Sequence, residues 1–462
     1  MEQQPRLPLW FLGANLTLVV VAFWLGVALG KRRYADLPQP QAAALELVYD
    51  EIVKNHVEAQ DGQVLLDRAI TAMAGQLDEY SEYVPPREVA KYDERSTGRY
   101  EGVGMRQVLH GEEMVVYYPF PGGPAERAGV RPGDRLLAVD DQELALLPKE
   151  TREARTVELV RGAADTDVRL RLQRDGDEVN LTIRRGPVQQ PSVKWAHFAD
   201  PEQGLGYLYV ADFHRGVAAE VFAAIANLRT QGPLRGLVID LRFDGGGNLD
   251  ECVALARAFQ PTGTIVSTRR RNQVVETYAA EAEKCRYRDL PLVVLVNGQS
   301  ASASEVFAGC LQDHRRAAIV GSRTYGKGVV NTVYSWQQFR LKLTTAHYFT
   351  PNGRNIEGHS LAPGKHPANG AAPTTPPPVG GIEPDVAVAM TDEQQRALAR
   401  TLVTFEPPAS QLAAFSAVAA KLGIPVPRPP QAAEDEQLRQ SLATLRERVA
   451  AAAQVVPATQ GK

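Results

Sequence analysis

Cysteine is scarce in this chain. Three residues, Cys252, Cys285 and Cys310, serve 462 positions, too few and too irregularly spaced for a disulfide framework, and none stands at metal-ligand spacing from a histidine. Cys252 and Cys310 fall in segments of helical pattern, where a buried free thiol is expected. An excess of either charge is also missing. The 51 Lys and Arg against 54 Asp and Glu leave a formal net charge of −3, which gives no electrostatic footprint for nucleic acid. No cofactor signature is present, so neither a metal nor a cofactor is expected. The remaining composition, 44% hydrophobic and 23% charged, is that of a folded protein of two to four domains.

Long hydrophobic runs are limited to one. Residues 9–30, LWFLGANLTLVVVAFWLGVALG, carry no charge and match the roughly 20 residues a membrane-spanning helix needs. The run exceeds a signal-peptide core, so a retained anchor after a short tail (1–8) is expected, although Ala28-Leu29-Gly30 could serve as a cleavage site. Lys31-Arg32-Arg33 follows the run, which by the positive-inside rule alone would leave the bulk of the protein in the cytoplasm.

The most informative segment runs from Pro291 to Asn331. An apolar strand pattern, Leu292 to Val296, stops at Asn297-Gly298, passes three alternating serines, and becomes a helix from Ala303 to about His314. Such a strand-to-helix turn displays a hydroxyl beside free backbone N–H groups, which can hold an oxyanion. A serine nucleophile needs a base, and Lys327, set between glycines in Tyr325-Gly326-Lys327-Gly328, is the candidate if burial strips its proton. Taken singly, a serine before a helix is a cap and a Gly-Lys-Gly is a solvated turn. A second strand pattern, Arg235 to Leu241, ends in Arg242-Phe243-Asp244-Gly245-Gly246-Gly247-Asn248 before a helix from Leu249 to Phe259. Bare N–H groups there could bind a phosphate or an oxyanion. No Gly-Lys-Ser/Thr element follows, which argues against a nucleotide loop.

SASASE, LQDHRRAAIVGSRTYGKG and LKLTTAHYFTPNGRNIEG, in this order, resemble the carboxyl-terminal processing proteases, serine peptidases with a Ser/Lys pair. The likeness extends from about Ala44 to Val388. It implies Ser302 as nucleophile, Lys327 as general base, and Ser300 and Ser304 as unreactive flanks. It also implies oxyanion donors at Ala303 and at Gly246 or Gly247, the donor glycine being left open. Where the family carries a lysine-orienting glutamine, this chain has Asn331, shorter by one methylene. Asp313 matches a position assigned to catalysis in the family, and an acidic residue near a helix end also has a structural reading. A rival function follows from Asn331: a catalytically weakened protein that tethers tails.

Residues 98–187 alternate short strands, glycine turns and one short helix around Ala125 to Ala128. YEGVGM followed by PFPGGPAERAGVRPGDRLLAVDDQEL resembles a PDZ domain. That likeness implies capture of a chain carboxylate by Gly102, Val103 and Gly104, with an apolar terminal side chain set against Val103 and Met105.

The expected architecture is a multidomain α/β protein. A helical arm (36–97) ending in LDEYSEYVPP precedes the PDZ module, and a layered α/β core (188–390), crotonase-like by resemblance, follows it. A proline-rich insert (359–380) interrupts that core, and a C-terminal region (391–462) has helical stretches at Asp392 to Phe405 and Asp435 to Ala452 that pack on the core, join subunits or remain solvated. The partners implied are protein or peptide substrates held by their C-termini, the membrane through 9–30, and a second copy of the chain. The resemblance places the catalytic part on the periplasmic or extracytoplasmic side of a bacterial inner membrane, against the charge rule.

Overall fold

The computed structural model describes residues 39–271, 273–358, 380–403, 412–423 and 428–455. The expected membrane run 9–30 and residues 359–379 of the insert lie outside them. No helix among the described residues is long and apolar enough to cross a membrane. The chain forms two compact units, one through Ala72 and one from Met73 onward. The first holds helix α1 (Gln39–Asn55) and most of α2 (Gly62–Gly75).

The second unit begins with strand β1 (Glu82–Val84), helix α3 (Val89–Thr97) and β2 (Arg99–Gly102). The PDZ-like module then follows as β3 (Met105–His110), β4 (Glu113–Pro119), the one-turn α4 (Pro124–Arg127), β5 (Arg135–Val139), β6 (Gln142–Glu143), α5 (Lys149–Val160), β7 (Asp167–Arg174) and β8 (Asp177–Arg184). Its sheet order is β3-β4-β5-β7-β8, with β6 paired to β5; β2 pairs with β9 (Gly186–Gln189). Alternating residues Val168, Leu170 and Leu172 enter a core shared with Met114, Val116 and Leu136, the period-2 signature of a strand. β3 is an edge strand beside α5, the arrangement into which a peptide adds as a further strand.

The core follows as β10 (Val193–Asp200), β11 (Leu205–Val210), α6 (Val217–Gln231), β12 (Gly236–Asp240), α7 (Leu249–Phe259), the hairpin β13 (Thr264–Arg270) and β14 (Gln273–Ala279), β15 (Leu292–Val296), α8 (Ala303–Asp313) and β16 (Ala318–Gly321). β17 (Val329–Ser335), β18 (Arg340–Phe349), β19 (Val386–Ala387), α9 (Asp392–Val403), α10 (Leu412–Leu422) and α11 (Glu436–Val455) complete it. The main sheet has the order β10-β11-β12-β15-β16-β19 and is parallel from β11 to β19. Every residue of β11, β12 and β15 is buried, which is why these strands read as unbroken apolar runs rather than alternating ones.

Two layers cover the sheet. Leu237, Ile239, Leu292, Val294 and Ile319 face α6, α7 and α8. Val238, Val293, Leu295 and Val320 face Leu398 and Leu402 of α9 and Leu438, Leu442 and Leu445 of α11. Helices α9 and α11 therefore pack on the core sheet. α10, which the proline-rich sequence did not suggest, seats Phe415 and Ala419 on Tyr118 of the PDZ-like module. A second sheet has the order β1-β18-β13-β14, with β17 also paired to β18.

Candidate active site

Ser302 stands at the turn from β15 into α8, with φ +57° and ψ −114°. A non-glycine residue in that region costs about 1–3 kcal/mol and is retained only where surroundings enforce it. The flanking serines help to do so. Ser300 Oγ donates to Leu241 O at 2.8 Å and accepts Asn297 N–H at 3.0 Å; Ser304 Oγ donates to Asp244 O at 3.1 Å. The outer serines thus sew this turn to the segment leading into the glycine loop, and Ser302 between them lines a cleft of roughly 510 Å3.

Glu305, fully buried in the first turn of α8, completes the restraint. Its Oε2 accepts the backbone N–H of Ser302 and of Lys327, each at 2.8 Å. Its Oε1 accepts Thr324 Oγ1–H at 2.6 Å and Gly326 N–H at 2.7 Å. One carboxylate therefore joins the loop of the candidate nucleophile to the loop of the candidate base. Burial pushes its pKa up, and the four donors oppose that shift. The sequence reading did not single out Glu305, because a glutamate three residues after a serine reads as an ordinary capping box.

Lys327 lines the same cleft. Burial pushes its ammonium below the ordinary lysine range and the charge of Lys342 acts in the same sense, while Glu305, Glu357 and Glu79 oppose them. Its Nζ lies 5.2 Å from the ring centroid of Tyr80. Tyr80 belongs to the LDEYSEYV segment, which does more than close the helical arm: it supplies β1, puts Glu82 in the cleft, and places Asp78 and Ser81 against Thr344 of β18.

Asn331 also lines the cleft, but its side-chain nitrogen donates to Thr344 Oγ1 at 3.1 Å. That hydroxyl in turn donates to Asp78 Oδ1 at 3.0 Å. The expected Asn331-to-Lys327 hydrogen bond is not among those made by the described residues; the shorter stem leaves the amide on the neighbouring strand. Asp313 is a plain correction. It sits at the far end of α8, eleven residues and about 16 Å along the helix from Ser302. There it accepts Asn352 N–H at 2.8 Å and pairs with Arg354 at 2.5 Å, so it ties α8 to the 352–354 turn and lies outside the cleft.

The glycine loop borders the cleft through Gly245, Gly246 and Gly247. Gly246 has φ +90°, and a Cβ there would meet Ala301 O at 2.6 Å and Ala303 N at 2.8 Å, so only glycine lets the two loops approach. Its N–H donates to Asp244 Oδ1 at 2.8 Å. The two glycines left open by the sequence are thereby distinguished: the Gly246 donor is already used inside its own loop. His214, not anticipated from the sequence, lies in the cleft with its Nδ1 2.8 Å from Asp212 Oδ1. Asp212 holds its pKa above the usual histidine value.

In the PDZ-like module Val103 and Gly104 link β2 to β3. Gly104 has φ +73°, with its carbonyl accepting Phe120 N–H and that of Val103 accepting Ala125 N–H. Gly102 pairs with Gly186. Val103 and Met105 are 1% and 7% exposed and belong to the module's own core. Val103, in the link between β2 and β3, and Met105, at the start of β3, are thus both buried in that core.

The comparisons with known proteins follow the same division of the chain. Residues 204–366 match peptidase family S41 and residues 115–174 match a PDZ domain. A carboxy-terminal-processing protease of Bartonella bacilliformis is 34% identical over 330 residues, covering 70% of this chain and 74% of that protein. A probable CtpA-like serine protease of Staphylococcus haemolyticus is 31% identical over 322 residues, covering 69% of this chain and 63% of its relative. Among solved structures, the photosystem II D1 C-terminal processing protease aligns at 27% identity over 73% of this chain and 85% of its own, with a TM-score of 0.40.

Proposed function

Because this chain belongs to peptidase family S41, among the carboxy-terminal-processing serine proteases, we propose that it cuts unstructured polypeptides through a Ser302/Lys327 acyl-enzyme, after capturing their C-termini in its PDZ domain. The observation that carries this reading is that Ser302, Lys327 and the 245–247 loop line one cleft. Ser302 Oγ attacks the scissile carbonyl carbon while its proton passes to neutral Lys327 Nζ. The oxyanion is held by the N–H groups of Ala303 and Gly247, the latter preferred because the Gly246 N–H is taken by Asp244. Lys327 returns the proton to the leaving amine as the C–N bond breaks. Water, losing a proton to Lys327, then attacks the ester, and Lys327 returns that proton to Ser302 Oγ as the acyl C–O bond breaks and the new C-terminal carboxylate leaves.

Under the same proposal, Gly102, Val103 and Gly104 offer backbone donors to a substrate carboxylate, and the edge strand β3 accepts the preceding residues as an added strand. Residues 9–30 anchor the enzyme in a bacterial inner membrane with the catalytic part outside the cytoplasm, and a homo-oligomer is part of this picture.

The test is cleavage by the full-length chain of an unfolded protein ending in an apolar residue, against the same protein ending in aspartate or in a C-terminal amide. Faster cutting of the free apolar tail, lost in Ser302→Ala and Lys327→Ala, supports the proposal. Cutting that is indifferent to the tail removes PDZ capture, and cutting that survives Ser302→Ala removes the mechanism.

A further inference from the structure

Arg242 is the last charged residue before the 243–247 loop, and its side chain is completely buried. A guanidinium does not lose its proton there, so its donors have to be met. Two carboxylates meet them. Asp240, at the end of β12, accepts from Nε at 2.9 and 3.0 Å and from Nη2 at 2.6 Å, and is itself fixed by the Tyr207 hydroxyl at 2.7 Å. Asp435 accepts Nη1 on Oδ1 at 3.0 Å and Nη2 on Oδ2 at 2.7 Å, a two-point fork, while Gln437 Oε1 takes a further Nη1 bond at 3.2 Å. Asp435 lies 193 residues away in sequence. It immediately precedes α11 and caps it, accepting Leu438 N–H at 3.1 Å.

The apolar face of α11 already explains why the helix covers the sheet, since Leu438, Leu442 and Leu445 are buried there. A buried ion pair adds little to such packing and is often replaceable by apolar residues without loss of stability. What the Arg242–Asp435 fork does add is direction at one point of the backbone. The next residue, Phe243, is held at φ +63°, with its N–H on Asn297 Oδ1 at 3.0 Å, and the loop that abuts Ser302 begins there.

We propose that Asp435 is a positioning residue of the peptidase: through Arg242 it sets the glycine loop against Ser302, and the C-terminal helix is thereby a working part of the catalytic centre. This inference rests on the Ser302/Lys327 reading. Asp435 touches no substrate and acts only through Arg242.

The experiment uses the full-length chain and three variants. Asp435→Asn keeps an acceptor for the helix cap and removes the charged fork; Asp435→Glu restores the carboxylate on a longer stem; Leu442→Ala loosens α11 without touching the pair. For each, kcat and KM on an unfolded protein substrate, the rate of Ser302 labelling by a fluorophosphonate, and the melting temperature are measured. The expected result is a fall in kcat of at least tenfold for Asp435→Asn with KM changed less than twofold, a parallel fall in labelling rate, and partial recovery in Asp435→Glu. Leu442→Ala, with an equal or larger drop in melting temperature, retains the parent kcat. Parent kcat in Asp435→Asn overturns the inference, as does a loss that follows melting temperature equally in the asparagine and alanine variants. A failure of both Asp435 variants to fold while Leu442→Ala folds and cuts normally also overturns it, since the residue is then structural. A parent chain that neither cuts nor labels removes the Ser/Lys reading and this inference with it.

Discussion

The Glu305 carboxylate accepts the backbone N–H of Lys327 at 2.8 Å and, on the same oxygen, that of Ser302. The spacing between the loops of the candidate nucleophile and the candidate base is thus set by main-chain hydrogen bonds to a third residue. Glu305→Gln puts an NH2 group where two donors now point. A stranded buried donor costs about 1–3 kcal/mol, and about 1.4 kcal/mol is tenfold in rate. The expected loss in kcat/KM is therefore roughly 10- to 100-fold, with a lower melting temperature. Steady-state kinetics and a thermal melt on one preparation check it, and an unchanged kcat/KM would show that the link does not matter to the reaction.

The pH profile follows from the environment of Lys327. A lysine base works in its neutral form, so kcat/KM rises with pH through its pKa, which burial first and Lys342 second bring below the ordinary value, about 10.4. Lys342→Met removes a like charge, so the pKa of Lys327 rises, the ascending limb moves to higher pH, and the rate at pH 7 falls. A limb that stays in place or moves down would exclude Lys327 as the titrating base.

Asp313→Asn tests the correction at the end of α8. The change weakens the tie to the exposed Asn352 N–H and Arg354 and is expected to lower stability by about 0.5–1.5 kcal/mol, the net value of a hydrogen bond, while kcat/KM stays within about twofold. Denaturant midpoints and kinetics separate these effects. A hundredfold loss of kcat without loss of stability would return Asp313 to the catalytic machinery.

The Asn331 side chain bonds to Thr344 rather than reaching for the lysine. Asn331→Ala is accordingly expected to lower kcat by less than tenfold, roughly the value of one net hydrogen bond at about 1 kcal/mol. A loss of several hundredfold would show that the amide orients Lys327 during turnover.

Much of the catalytic core was legible because its strands are buried on both faces. Runs such as Leu292 to Val296 and Gly236 to Asp240 therefore stand out between glycine-marked turns. Ser302, Lys327 and the 245–247 loop are singled out by the order of several motifs together, since a serine before a helix and a Gly-Lys-Gly turn are ambiguous alone. What remained hidden depends on contacts between distant segments. Nothing local distinguishes Glu305 as a cap from Glu305 as a link to the 324–327 loop. Asp313 and Asn331 carry suitable chemistry at plausible spacings, but which way each side chain turns is decided by Arg354 and Thr344. The stretch from Asp435 to Ala452 reads as a helix, and only tertiary structure sets its Leu438, Leu442 and Leu445 against the main sheet. Val103 and Met105 show the converse. Their apolar character was legible, and their membership of the module's own core was not.

The central claim is that Ser302 is a nucleophile activated by Lys327, and the most direct measurement is the time course of fluorophosphonate labelling of the full-length chain at several pH values, with the modified residue located by mass spectrometry. The account predicts one label per chain on Ser302, none in Ser302→Ala, a rate that rises with pH, and a rate at least 100-fold lower in Lys327→Ala. Labelling elsewhere, or an undiminished rate on Ser302 in Lys327→Ala, would contradict it.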